Sequence, residues 1–159
     1  MFGRFLHRMV TDWRMIMNQI ETQIDNIIMG LKRIEGLSGV RFVKEYKNHK
    51  VENPITGFIA VVYVTDTALS KGYIGGYLSS SLKGEQFFAR TEIRVYAPVD
   101  ENGTGLSEII SEILTGLKKA DTEKIIVDVS ATSIKFDTEI NSIYRTVEFN
   151  IEFCLCEEA

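Results

Sequence analysis

The residue types that usually anchor chemistry are scarce: 159 residues contain two cysteines, two histidines, two prolines and one tryptophan. Two cysteines cannot build a disulfide framework, and Cys154 and Cys156, as a lone C-x-C, lack the second pair of a structural zinc site. Their mutual pairing would strain adjacent strand geometry, so a reduced intracellular protein is the expectation. With two prolines, long extended linkers are not expected, and the length suits a single domain, 1–159, with its own core. No stretch approaches the apolar length of a membrane span, and "MFGRFLHRMV" runs into "TDWRM" without the features of a signal peptide. A strong net charge is also missing: −4 overall gives no general pull toward nucleic acid or membrane.

That total hides an asymmetry. Residues 1–50 hold nine Lys/Arg against five Asp/Glu (+4), residues 51–96 four against four, and residues 97–159 five against thirteen (−8). Such a division fits a basic arm for nucleic acid, complementary surfaces that meet between subunits, or two differently solvated faces.

Periodicity organises the rest. Ile16, Ile20, Ile24, Ile27, Ile28, Leu31 and Ile34 recur at three- and four-residue steps, which predicts a long helix over 12–35, capped by Thr11 or Asp12 and ended by Gly36 and Gly39. Residues 1–11 then form a basic, aromatic N-terminal arm. Strands follow at "VRFVKEYK" and "FIAVVYVT", the second apolar on both faces as in a central strand. "DTALSKGYIGGYLSSSLKGEQ" (66–86), with four glycines and four serines, is expected as a flexible loop insertion or partly ordered hairpin. In "FFARTEIRVYA" Phe87, Ala89, Ile93, Val95 and Ala97 point one way and Arg90, Glu92 and Arg94 the other. "LSEIISEILTGLKK" is a second amphipathic helix with Thr104 as its expected cap and Gly116 as a mild internal cost. "KIIVDVSATSIKF", bent near Ala131–Ser133, and "SIYRTVEFNIEFCL" close the chain as a hairpin around "DTEIN". The fold class is therefore α+β, a mostly antiparallel sheet of five to six strands with both helices on one face.

The search for chemistry ends without a constellation. Nucleophilic catalysis needs a histidine within reach of the nucleophile, and His7 and His49 fall in the arm and in a polar turn, where surface histidines are expected. The glycines of 72–84 lack the G-x-x-x-x-G-K-[ST] phosphate-loop pattern, so a loop at an edge or interface is the simpler reading. Asp128, Asp137, Glu139, Glu148 and Glu152 could hold Mg²⁺ for phosphodiester cleavage, but a solvated or partner-facing sheet surface explains them as well. Phe88, Arg90, Arg94 and Tyr96 share a strand face in a way that suits single-stranded nucleic acid, with Glu92 and the acidic last strands against it. No catalytic, metal or cofactor residue is assigned. What remains is a charged sheet face, a long loop and an arm with Phe2, Phe5, Leu6 and Met9, the parts of an assembly protein.

That layout, with "IRVYAPVDENGTGLSEIISEILTGL" and then "IKFDTEINSIYRTVEFNIEF", resembles the tail-terminator (tail-completion) proteins of long-tailed bacteriophages and related contractile particles over roughly residues 12–155. The resemblance implies a structural virion protein and no enzyme. It would be a homo-oligomeric, hexameric ring that caps the tail tube, ends polymerisation and offers a docking surface to the head-side connector. Its location would be the tail or neck of a virion assembled in the bacterial cytoplasm. The implied partners are further copies of itself, the tail tube protein, the connector or neck protein and, as a further candidate, the tail sheath protein, without membrane or specific nucleic acid. Phe2, Phe5 and Arg8 of the arm and Gly72, Tyr73, Gly75, Gly76 and Tyr77 of the loop would reach neighbours, and Arg90, Arg94, Glu148 and Glu152 would lie on the surface available for ring contacts. The basic arm departs from that layout and leaves another connector or neck component as the alternative. A metal-dependent phosphodiesterase or nucleic-acid binder is the remaining rival.

Overall fold

The isoleucine stripe forms one side of the core. In the computed structural model, the described backbone covers residues 2–44, 55–69, 82–99 and 102–158, and the described side chains cover 13–44, 55–68, 86–99 and 102–153. Helix α1 runs Phe2–Lys32, about 46 Å at 1.5 Å per residue, and buries Ile16, Ile20, Ile24, Ile27, Ile28 and Leu31. It begins ten residues before the expected start, so the segment expected as an arm is helical from Phe2 onward. The sequence allows this: Phe2, Leu6, Met9 and Trp13 continue the three- and four-residue spacing, and Thr11 and Asp12 cost an interior turn only tenths of a kcal/mol (about 0.5). At the other end the ladder tightens, with Arg33 N–H on Gly30 O and Ile34 N–H on Leu31 O, and the chain passes through a 3₁₀ turn at Glu35–Leu37.

Six strands make one sheet: β1 (Val40–Lys44), β2 (Phe58–Leu69), β3 (Leu82–Tyr96), β4 (Ile126–Ala131), β5 (Lys135–Asp137) and β6 (Ser142–Glu158). Their order is β1-β2-β3-β6-β4, with β5 on β6 beside β4. Among the described residues only the β1–β2 pairing is parallel. Both ends of the expected loop over 66–86 are strand: Asp66–Leu69 pairs with Phe87–Arg90, and Leu82–Gln86 pairs with Cys154–Glu158. Residues 70–81 lie outside the described residues. The expected bend near Ala131–Ser133 is the gap between β4 and β5, and β5 forms the expected hairpin with β6.

Helix α2 (Leu106–Ala120) lies on the same face as α1 and adds Leu106, Ile110, Ile113 and Leu117 to the core. Its N-cap is Gly105 rather than Thr104: the backbone there has φ +84°, a conformation that glycine adopts without penalty, and no side chain caps the helix. The inward sheet residues are Phe42, Ala60, Val62, Phe87, Ala89, Ile93, Val95, Val147, Phe149, Ile151 and Phe153. Each large side chain buried this way stabilises the fold by roughly 1.5–3 kcal/mol. Among the described residues the face turned away from the helices has only a small apolar cluster at one end, built on Ile55, Ile59 and Tyr96.

Candidate functional site

Alternation along β2, β3 and β6 sends every second side chain to the face without helices, and the register aligns these in rows. Ile59, Tyr96 and Tyr144 form one row and Val61, Arg94 and Thr146 the next. Tyr63, Glu92 and Glu148 follow, then Asp66, Arg90 and Asn150, and last Ala68, Phe88 and Glu152. A bulge at Thr65, between Val64 and Asp66, keeps the last two rows in phase.

Arg94 is the centre of this surface. Its guanidinium carbon lies 4.6 Å from the Tyr144 ring centre and 5.7 Å from that of Tyr63, and Nη1 donates to the Tyr96 hydroxyl at 3.4 Å. Its Nε is buried without a partner among the described residues. The Tyr63 hydroxyl donates to Glu92, and the Tyr96 hydroxyl donates to Asp137 Oδ2 at 3.3 Å, which ties the start of the β5–β6 hairpin to the sheet. Burial, then the hydrogen bond to Glu92, pushes the Tyr63 phenol well above its ordinary value. Tyr96 is raised first by burial, with Arg94 pulling the other way and Asp137 adding to the rise. Arg94 is held charged more firmly than a free guanidinium: burial opposes its charge, and the Tyr96 hydroxyl with the surrounding phenols outweighs that. At neutral pH these groups keep their protons. They present aromatic faces, hydroxyls and a shielded cation.

Carboxylates surround this centre. Glu92 and Glu148 stand directly opposite each other across β3 and β6, an arrangement that destabilises a sheet unless neighbours offset it; here the Tyr63 hydroxyl donates to Glu92. Glu152 accepts from Gln86 Nε2 at 3.3 Å and Asp128 from Asn150 Nδ2 at 3.2 Å. Among the described residues no three His, Cys, Asp or Glu side chains converge as a metal site would require, and no helix is long and apolar enough to cross a membrane.

The expected site residues therefore divide. Arg90, Arg94, Glu148 and Glu152 do share the uncovered face, but only Arg90 is exposed, and Arg94 is enclosed by tyrosines. Phe2, Phe5 and Arg8 belong to the first turns of α1, and their side chains, like that of His7, lie outside the described ones. Gly72, Tyr73, Gly75, Gly76, Tyr77 and His49 lie outside the described residues. Cys154 and Cys156 stand opposite Gln86 and Gly84 on β6, with side chains outside the described ones. Sequence reasoning missed Tyr63 as a neighbour of Arg94 and Asp137 as the partner of Tyr96. The available signal was the alternation of β2, which already puts Tyr63 on the face opposite Ala60 and Val62. No protein-family model matches the chain, and no curated protein matches it.

Proposed function

We propose that the chain is a structural virion subunit that assembles head to tail into a ring, caps a tail tube, ends its polymerisation and offers a docking surface to the head-side connector. The observation that supports this reading best is the uncovered sheet face, where a long three-strand surface carries an ordered aromatic and charged array. A ring subunit needs two non-identical surfaces that meet and close by rotation. A chain with +4 in its first fifty residues and −8 in its last sixty-three supplies opposite charges for that contact, which would favour register and encounter more than raw affinity. The same features suit another ring-forming neck component, and position within an assembled particle separates the two.

The test is native mass spectrometry with negative-stain imaging over a concentration series, alone and with tail tubes. A closed six-fold ring, or capping of tube ends, is the expected result. A monomer at every concentration that also leaves tube ends uncapped overturns the reading. Arg90→Glu is the informative variant because Arg90 is exposed on the array, whereas a change at Arg94 would disturb its tyrosine shell. A folded Arg90→Glu protein that assembles as well as the parent removes the electrostatic part of the proposal.

A further inference from the structure

The last strand in the sheet order, β4, pairs with β6 on one side, and among the described residues no strand covers its other side. Such an edge offers unpaired N–H and C=O groups to any extended chain, and proteins usually blunt it. Here the edge is shaped. Between Val127, opposite Asn150, and Ser130, opposite Glu148, the register slips, so that two residues of β4 face one of β6. Asp128 sits in the left-handed region at φ +55°, which aspartate tolerates better than most residues, and Asn150 holds its carboxylate.

The next residue, Val129, is 44 % exposed and lines a hollow of about 260 Å³ floored by Leu114 and Leu117 of α2 and Ile126 of β4. Ile134 and Phe136 are exposed further along the same border of the sheet. Three of the seven large exposed apolar side chains among the described residues thus fall within positions 129–136.

The charge of the hollow points to what would fill it. Lys118 and Lys124 line it together with one acid, Asp121. Both carboxylate oxygens of Asp121 are engaged, by the Ile125 N–H at 2.8 Å and the Ile126 N–H at 3.1 Å. Asp121 keeps its charge, but two lysines against one carboxylate leave the lining of the hollow net positive.

We infer that the outer edge of β4 and its hollow form a strand-addition site for an extended peptide whose apolar side chain fills the hollow while an adjacent carboxylate meets Lys118 and Lys124. In this recognition mode main-chain hydrogen bonds supply affinity, and pockets for alternate side chains supply specificity. The other end of the sheet in a second copy, β1, is a poor occupant: its exposed side chain is Arg41, of the same sign as the two lysines. The inference stands apart from the ring reading and does not rest on it.

The test uses the full chain with a fluorescent octapeptide alternating leucine and glutamate, a leucine–lysine octapeptide as charge control, anisotropy for affinity and amide hydrogen exchange for position. The acidic peptide should bind, protect amides within 127–131, and exceed the basic peptide in affinity by at least about tenfold. Val129→Asp, at an exposed position, should weaken binding by a similar factor with an unchanged circular-dichroism spectrum. Lys118→Glu combined with Lys124→Glu should invert the preference between the two peptides. The inference is overturned by no binding, by equal binding of both peptides, or by protection elsewhere on the chain. Self-association that protects residues 127–131 without peptide would also overturn it, by showing that a second copy covers the edge.

Discussion

Gly116 offers the sharpest check on the packing. It lies inside α2, where replacing glycine by alanine should by itself stabilise the helix by about 1 kcal/mol. The surroundings oppose that gain. A Cβ at this position would meet Leu31 Cδ2 at 2.7 Å and would press harder still on Ile34 Cδ1, because α2 crosses the end of α1 with the glycine at the contact. Leu31 is fully buried, so overpacking of roughly 2–3 kcal/mol is expected. The clash wins: Gly116→Ala should lose about 1–2 kcal/mol. In urea unfolding followed by circular dichroism, with a slope of about 2 kcal/mol per molar, the midpoint should fall by roughly 0.5–1 M. Ile34→Val removes the nearer obstructing carbon, so the double variant should recover part of the loss, with a coupling of at least about 0.5 kcal/mol. Gly39→Ala is the open-space control. Nothing lies within 4 Å of its would-be Cβ, and it should be neutral or gain up to about 1 kcal/mol. A Gly116→Ala protein with an unchanged or higher midpoint would refute the close crossing of the two helices.

Four further outcomes follow from the same structure. Phe149→Ala empties a fully buried site at the centre of β6 and should cost about 3–5 kcal/mol, read as a fall in melting temperature on the order of 10 °C. Ser142→Ala removes the buried hydroxyl that donates to the Ala97 carbonyl at 2.8 Å and should cost about 1 kcal/mol in the same assay. Asp121→Ala strips the Ile125 and Ile126 amides of their acceptor and should cost about 1–2 kcal/mol, with the loss of amide protection confined to the entry of β4. Because folding raises the Tyr63 and Tyr96 values above 10, the folded state keeps protons that the unfolded chain has already released. Their contribution is therefore complete below pH 10 and is lost as pH rises toward the folded values. Urea midpoints should decline above pH 10, and Tyr63→Phe should shallow that decline; an unchanged slope in the variant would contradict the Tyr63–Glu92 contact.

Much of the fold was legible because burial imposes period. Phe87, Ala89, Ile93 and Val95 alternate in β3 and all are buried, as are Val147, Phe149 and Ile151 in β6 and the isoleucines of α1. The reading failed where a local signal competed with a longer-range one. Glycine and serine in 70–81 left 66–86 readable as a loop or a partly ordered hairpin, without showing where the strands end. The strand ends on either side hold their place through pairing with β3 and β6, and pairing partners leave no local trace. The bulge at Thr65 added to the error, because one inserted residue reverses the phase on which a period-two argument depends. Thr91 shows the converse case. A threonine in a row of apolar residues did not announce itself as core, yet it is fully buried, and its hydroxyl reaches the Ala89 carbonyl at 3.4 Å.

The uncovered face was legible as composition but not as arrangement. Arg90, Arg94, Glu148 and Glu152 could be assigned to it from alternation alone, and as a list they look like four equivalent surface charges. Equivalence fails once register is known. A shift of two residues between β2 and β3 would keep every side chain on its face and still take Tyr63 away from Glu92 and Val61 away from Arg94. With the observed pairing, Arg94 falls among three tyrosines while Arg90 stands opposite Asp66 and Asn150 in the open. One arginine consequently organises the surface and the other is available to a partner. An assembly contact on this face should respond to charge reversal at Arg90 by losing affinity for its partner, and to loss of Arg94 by losing the order of the face itself.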